Sequence, residues 1–367
     1  MRTCISSLRP RNLCVDIACY PAKALWCACA TPGREAPRQV RVAFDSRPSS
    51  GAGGVGRYAR CLLRALRDTK GERSEIFETH RPRHTDVFHA PWMQGAILRS
   101  PCPMVVTLHD LAALKRRSEH LRMACVPYLK YLAVQRATKV IVPTKAVAAD
   151  AVSRLGLEEG RITIIPEAPD PAFYPRHQQQ IHAVQKRFGL PESYLLWVGS
   201  LQRPDPRRPL GKLAATHREL PLVLVGPAGP WTRELPNVTL TGKVSDDELA
   251  AIYSGAHALL LPSAEEGFGL PAVEALACGA PVAAFDLPAL REVLDGRAAL
   301  VEPGDLVGLV QAAQQLTRPA PKPPRWSWQD AGRATWRVYD RAIARGDTAF
   351  MPAGPRASRR SQMAESR

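Results

Sequence analysis

No stretch of this 367-residue chain approaches the roughly 18 to 20 consecutive apolar residues of a membrane-spanning helix, which removes a helical span as a reading. No DNA- or RNA-binding motif of the usual kinds is present either. That absence matters, because a formal charge of +16 and a pI near 9.8 otherwise point to nucleic acid or an anionic membrane. Much of the excess sits at the ends. Residues 1–38 hold six Arg or Lys against two acids, and the segment after Arg345 is again arginine-rich. Arginine also outnumbers lysine throughout, a mark of genomic composition rather than of a nucleic-acid face. The nine cysteines, an odd number, fit no zinc spacing, and five of them (Cys4, Cys14, Cys19, Cys27, Cys29) fall in the first 29 residues. Cys61, Cys102, Cys125 and Cys278 stand singly in apolar stretches, where a reduced cysteine acts as a small hydrophobe. This pattern argues against a disulfide framework and for a reducing compartment, the cytoplasm.

What is present suits two domains of ordinary size, each with its own core, since 45% of the residues are hydrophobic. The run "ALWCACA" at 24–30 is short for a signal peptide and follows a proline, so residues 1–38 are expected to be a disordered extension or a mis-called start. From Val40 the chain alternates short β-branched runs with amphipathic stretches. "VRVAF", "DVFHAPW", "MVVTLHD" and "KVIVPT" read as strands of a parallel, doubly wound sheet. After "ITIIP" and a Pro- and Gln-rich linker near 170–190, the pattern repeats with "SYLLWVGS", "LPLVLVGP", "VTLTGKV", "ALLLPS" and "PVAAFD". Two such units leave a cleft at the carboxyl ends of both sheets, the default place for a ligand.

Four polar signals fall at strand ends beside that cleft. "SSGAGGVGRY" opens a helix after the first strand, so its backbone N–H groups around Gly53 and Gly54 can cradle phosphate. Its glycine spacing does not match the dinucleotide fingerprint. "TLHD" sets His109 and Asp110 at the end of a strand, where a polar side chain serves the core poorly. "GSLQRPDPRRPLGKL" gathers Arg203, Arg207, Arg208 and Lys212 after Gly199, and planar guanidinium forks suit a diphosphate. In "SAEEGFGLPAVEALACGAPV", Pro271 fits the first turn of a helix that Gly279 stops. Gly267 and Gly269 before that turn leave room for a ligand to approach the backbone. Glu266 in the loop and Glu274 in the second helical turn can then reach opposite ends of one elongated ligand whose phosphates rest on the helix N-terminus.

The string "EEGFGLPAVEALACGAPVAA" with "ALREVLDGRAALVEPGD" closely resembles the donor-site signature, Glu-x7-Glu, of the retaining GT-B glycosyltransferases of family 4. "DSRPSSGAGGVGRY", "TLHDL", "KVIVPTKAVAADAVSRLGL" and "WVGSLQ" follow in that family's order, and "WSWQDAGRATWRVYDRAI" resembles its last helix, which returns to the first domain. The resemblance covers most of residues 40–345. It implies an α/β GT-B fold, two Rossmann-like doubly wound domains facing a central cleft. Residues 39–180 would form the acceptor-side domain, 181–325 the nucleotide-sugar donor domain and 326–345 the returning helix, with 346–367 a disordered tail.

The activity implied is transfer of a hexose, with mannose from GDP-mannose as the family's habit, from a nucleotide diphosphate sugar to a glycan or lipid-linked acceptor with retention. No cofactor is implied, and no metal: there is no Asp-x-Asp pair in a plausible cleft loop, and arginines with the helix dipole can meet the leaving diphosphate. Carried onto this sequence, Glu274 would bind the ribose hydroxyls and Glu266 those of the transferred sugar. The backbone of Gly267, Phe268, Gly269 and Leu270 would meet sugar and phosphates. His109 would lie near the anomeric centre, and Lys243 and Val244 would lie at the nucleobase. Where the family has Arg-Lys-Asn, this chain has "RPDPRRPLGK", so Arg208 is placed at the lysine's position with Arg203 or Arg207 beside it. "IPEAPDPAF" likewise replaces a glycine-bearing turn. The basic, apolar region 111–139 has two readings, a helix resting on the anionic inner face of a membrane or one with an apolar face in the core. A catalytically silent nucleotide-sugar binder or assembly partner is the alternative to an active enzyme.

Overall fold

The computed structural model describes residues 39–51, 53–111 and 125–349. The expected extension 1–38, the part of the basic region at 112–124 and the tail from 350 lie outside those residues. The described residues all belong to one compact unit, within which two parallel six-stranded sheets form.

The first sheet has the order β2-β1-β3-β4-β5-β6, from β1 (Val40–Phe44), β2 (Ser74–Glu78), β3 (Val87–Ala90), β4 (Met104–Thr107), β5 (Lys139–Val142) and β6 (Ile162–Ile164). The second has the order β12-β11-β10-β7-β8-β9. Its strands are β7 (Leu195–Val198), β8 (Leu222–Val225), β9 (Val238–Gly242), β10 (Ala258–Leu261), β11 (Val282–Phe285) and β12 (Ala299–Val301). The central strands β3, β4, β8, β10 and β11 are buried at every residue, which is why they read as unbroken apolar runs rather than alternating ones. The strand order reverses between β1 and β3 in one sheet and between β7 and β10 in the other. A ligand crevice opens beyond the carboxyl ends at such switch points.

Two expectations need correction. The segment 170–190 is not all linker, because Gln178–Phe188 forms a helix that packs against Asp246–Gly255 beside the second sheet. It buries only Ile181, so its sequence carries little helical signature. The strand "SEIFE" at 74–78 is absent from the strands expected above; it is an edge strand pairing with β1 alone, and its two glutamates face outward.

The last helix, Trp328–Ala349, continues past the expected end at Arg345. It packs on α1 (Gly54–Asp68), β3 and β4, as a returning helix does. Trp336 Nε1 donates to the Leu66 carbonyl at 3.1 Å, and the Tyr339 hydroxyl lies 2.7 Å from His89 Nδ1. One apolar cluster runs from Val42, Leu62 and Tyr339 through Phe173 to Leu259 and Val273, joining the two sheets through a shared core.

Candidate active site

Two cavities lie along the facing carboxyl edges. The smaller, about 140 Å3, is bordered by Gly53, Gly54, Gly199, Lys243, Val244 and Glu274, with Leu270 also at its wall. The larger, about 580 Å3, is bordered by Trp92, His109, Asp110, Arg203, Arg207 and Arg208. Of the residues given ligand-contact roles from the resemblance, Glu266, Gly267, Phe268 and Gly269 border neither cavity, and the others fall on one or the other.

Glu274 is 3% exposed, in the helix Leu270–Ala277. The Tyr253 hydroxyl donates to its Oε2 at 3.2 Å, and Arg57 Nε lies 2.9 Å from its Oε1. Burial raises its pKa to about 7 even against the pull of Arg57. Arg57, reaching across from α1, also donates from Nη2 to Asp246 Oδ1 at 2.8 Å and stacks over Phe173. Burial opposes its charge, but Glu274 and Asp246 outweigh it and keep the guanidinium ionised.

Glu266 accepts from Ser263 Oγ at 2.8 Å and stands 3.6 Å from Arg208 Nη2. Burial raises its pKa, against Arg208 and Ser263. Arg207 is held by Asp205 at 2.8 Å and lies 3.7 Å from Asp110 across the cleft. Of the arginine loop, Arg207 and Arg208 are thus half-buried at the cleft, whereas Arg203 is exposed on the rim of the larger cavity.

His109 follows β4, with Nδ1 2.9 Å from Glu167 Oε1 and Nε2 3.0 Å from the Pro91 carbonyl. The Pro91 carbonyl can only accept, so Nε2 carries a proton, and Nδ1 shares a proton with Glu167. Burial disfavours a charged ring, yet the Glu167 hydrogen bond and charge outweigh it and the pKa is raised. Behind it the Tyr58 ring stands edge-on, and Tyr58, Thr107, His89 and Tyr339 form a continuous buried hydrogen-bonded chain.

The glycines of the signature loop also make close contacts within the protein. A Cβ on Gly267 would lie 1.6 Å from the His109 carbonyl oxygen, while Thr144 Oγ1 donates to the Gly267 carbonyl at 3.1 Å. Gly267 is therefore a point at which the two halves touch backbone to backbone. Gly269 is left-handed (φ 86°) and its missing Cβ makes way for Leu290. The Phe268 side chain is core, 5.5 Å from Trp326.

Sequence reasoning missed Arg57 and Glu167. Arg57 lies in "GGVGRY", where the glycines carry the signal and the arginine passes for one more polar position of an amphipathic helix. Glu167 lies in "IPEAPDPAF", a segment that stands out only for the glycine it lacks. No spacing rule links either to its partner 217 or 58 residues away, the differences 274 − 57 and 167 − 109.

Two doubly wound parallel sheets with facing carboxyl edges and a last helix returning to the first are the GT-B architecture of glycosyltransferases. Residues 25–173 match the model of glycosyltransferase family 4, and residues 192–318 match that of the glycosyl transferases group 1. The chain is 31% identical over 326 residues to a D-inositol 3-phosphate glycosyltransferase of Mycolicibacterium gilvum, covering 78% of this chain and 73% of the relative. It is 27% identical to the 2-deoxystreptamine glucosyltransferase of Streptomyces kanamyceticus over 60% of this chain and 62% of that one. The chain belongs to glycosyltransferase family 4 and is a glycosyltransferase. Its fold is similar to that of sucrose-phosphate synthase from Thermosynechococcus elongatus, with a TM-score of 0.60 at 19% identity over 85% of this chain and 98% of that one. It is also similar to that of the Anabaena protein HepE in complex with UDP-glucose, with a TM-score of 0.59 at 17% identity over 84% and 95%. At such identities the likeness shows the fold alone. Among the described residues no helix is long and apolar enough to cross a membrane.

Proposed function

We propose that the protein moves a hexose from a nucleotide diphosphate sugar to a glycan or lipid-linked acceptor, with retention of the anomeric configuration and without a metal ion. The observation that carries this reading is the gathering of Glu274, Lys243, Val244 and the Gly53–Gly54 loop on one cavity, and of His109, Arg207 and Arg208 on its neighbour. In this reading the nucleoside takes the smaller cavity, with its ribose hydroxyls donating to Glu274. The diphosphate lies between the Gly53–Gly54 loop, the N-terminus of Leu270–Ala277 and the arginines. The sugar lies at Glu266 and His109, and the acceptor enters the larger cavity.

Breaking the glycosyl phosphate bond leaves negative charge on the diphosphate and positive charge on the sugar. Arg207 and Arg208 supply fixed cations for the first, while His109, held by Glu167 and the Pro91 carbonyl, orients the sugar. The leaving phosphate takes the acceptor's proton as the acceptor attacks from the same face. Glu266, tied to Ser263 and beside Arg208, holds sugar hydroxyls rather than acting as a nucleophile.

Mannose from a GDP donor is the first sugar to test, with UDP-glucose beside it. A small cyclitol acceptor is a second reading, favoured by the names of the inositol phosphate and deoxystreptamine relatives. The compartment proposed is the cytoplasm, with peripheral contact on the inner face of the membrane if the acceptor is lipid-linked. Thermal shift against GDP, UDP and ADP tests the donor reading, because a ligand at 100 times its Kd stabilises by about 2.7 kcal/mol. No shift with any of the three counts against it.

A further inference from the structure

The Arg57 guanidinium carries five N–H donors, of which Asp246 takes one at 2.8 Å. Its Nη1 is buried and has no hydrogen-bond partner among the described residues. Glu274 Oε1, an ion-pair partner 2.9 Å from Nε, likewise has no hydrogen-bond partner among the described residues. Both residues line the same cavity of about 140 Å3, with side chains 11% and 3% exposed, and the two unpartnered atoms themselves are buried behind its wall. A strut that served only to join the two halves would be expected to close these bonds on itself, since a buried polar group left open costs roughly 1–3 kcal/mol.

A ligand closes both if it presents hydroxyl donors to the carboxylate and, a few ångströms away, anionic oxygens to the guanidinium. A nucleoside diphosphate has that order, ribose hydroxyls followed by phosphate oxygens. We infer that Arg57 is a donor-binding residue, supplied by α1 to the nucleoside seat of the other sheet, where it grips the phosphate next to the ribose. This rests on the nucleotide-sugar reading above. The cavity is smaller than ordinary ligand sites of about 300 Å3 and more, so the donor enters by parting the halves. Arg57 and the phosphate then meet as they close. In the donor-free molecule Arg57 has a second duty, for its charge counters the burial that pushes Glu274 toward its neutral form.

The test compares affinities for UDP, GDP and ADP with those for uridine, guanosine and adenosine, by calorimetry, in the wild type, Arg57→Lys and Arg57→Gln. Melting temperatures confirm that each variant is folded. The expected result is that Arg57→Gln lowers the ratio of diphosphate to nucleoside affinity by about tenfold or more, as loss of a charge-assisted hydrogen bond does. Arg57→Lys should recover part of it. A purely structural Arg57 would weaken both ligands alike, so an unchanged ratio overturns the inference even if binding falls. If the wild type binds none of the three diphosphates, the donor reading itself fails. If Arg57→Gln does not fold, the ratio in Arg57→Lys decides: equal to wild type, it overturns the inference.

Discussion

Glu167 Oε1 lies 2.9 Å from His109 Nδ1, and the opposite nitrogen of the same ring faces the Pro91 carbonyl at 3.0 Å. The pair fixes the ring and its charge at the wall of the larger cavity. Asp110 adds to the effect from the next residue, whereas the neutral His89 lies behind, its own pKa pressed down to about 3 by burial and by the charge of His109.

Glu167→Gln keeps the shape and removes the charge. The expected result is a roughly tenfold or larger fall in kcat with little change in donor KM, and an alkaline limb of the pH–rate profile that moves to lower pH. The linkage sign is that of a raised cation. The stabilisation is fully present below the unfolded histidine value of about 6.5 and is lost as pH rises through the higher folded value. The variant should lose that pH dependence of stability. Imidazole nitrogen shifts in NMR titrations of both proteins check the assignment without any activity.

Glu274 carries a pKa raised to about 7 by burial, and ribose hydroxyls bind its ionised form best. Nucleoside diphosphate affinity should therefore rise as pH passes upward through about 7 and should lose that dependence in Glu274→Gln. Calorimetry from acid to alkaline pH measures it. A flat wild-type profile would contradict the role.

Gly267→Ala places a methyl group where the His109 carbonyl oxygen lies, at 1.6 Å, with backbone on both sides. Neither backbone can yield without parting the halves. A loss of about 1–3 kcal/mol in unfolding free energy is expected from such overpacking. A wider envelope in solution scattering should accompany it. A stable, unexpanded Gly267→Ala protein would mean that this contact does not hold the halves together.

Much of this was legible in the sequence because burial on both faces makes parallel strands apolar throughout. The strand ends, with His109, Gly199 and Glu266, could then be placed by connectivity. The edge strand Ser74–Glu78 escaped because its glutamates face outward, and the helix Gln178–Phe188 escaped because one buried residue leaves almost no periodicity. Gly267 was recognised as a close approach, but its contact with the His109 backbone was not legible, because a glycine announces an approach without naming the neighbour. Arg57 and Glu167 are set by tertiary contacts alone. Each is a charge whose partner comes from a distant segment, and local pattern carries no trace of such pairs.

Chelation bears on the metal-free step. If Arg207, Arg208 and the helix N-terminus meet the leaving diphosphate, EDTA should leave turnover within about twofold, while Arg208→Ala should lower kcat by about tenfold or more. Activity that disappears with EDTA and returns with a divalent cation would overturn that assignment.

The central claim is that a nucleotide diphosphate sugar lies across the cleft with Glu274 on its ribose and Glu266 on its sugar. Its most direct test is proton NMR of the purified protein incubated with GDP-mannose, UDP-glucose and other common donors, comparing the wild type with Glu266→Ala and Glu274→Ala. The expected result is that one donor is consumed and its sugar appears with the donor's anomeric configuration. Glu274→Ala should raise donor KM by about tenfold or more, and Glu266→Ala should cut mainly kcat. Consumption of no donor, an inverted product, or two variants indistinguishable from wild type would contradict the account.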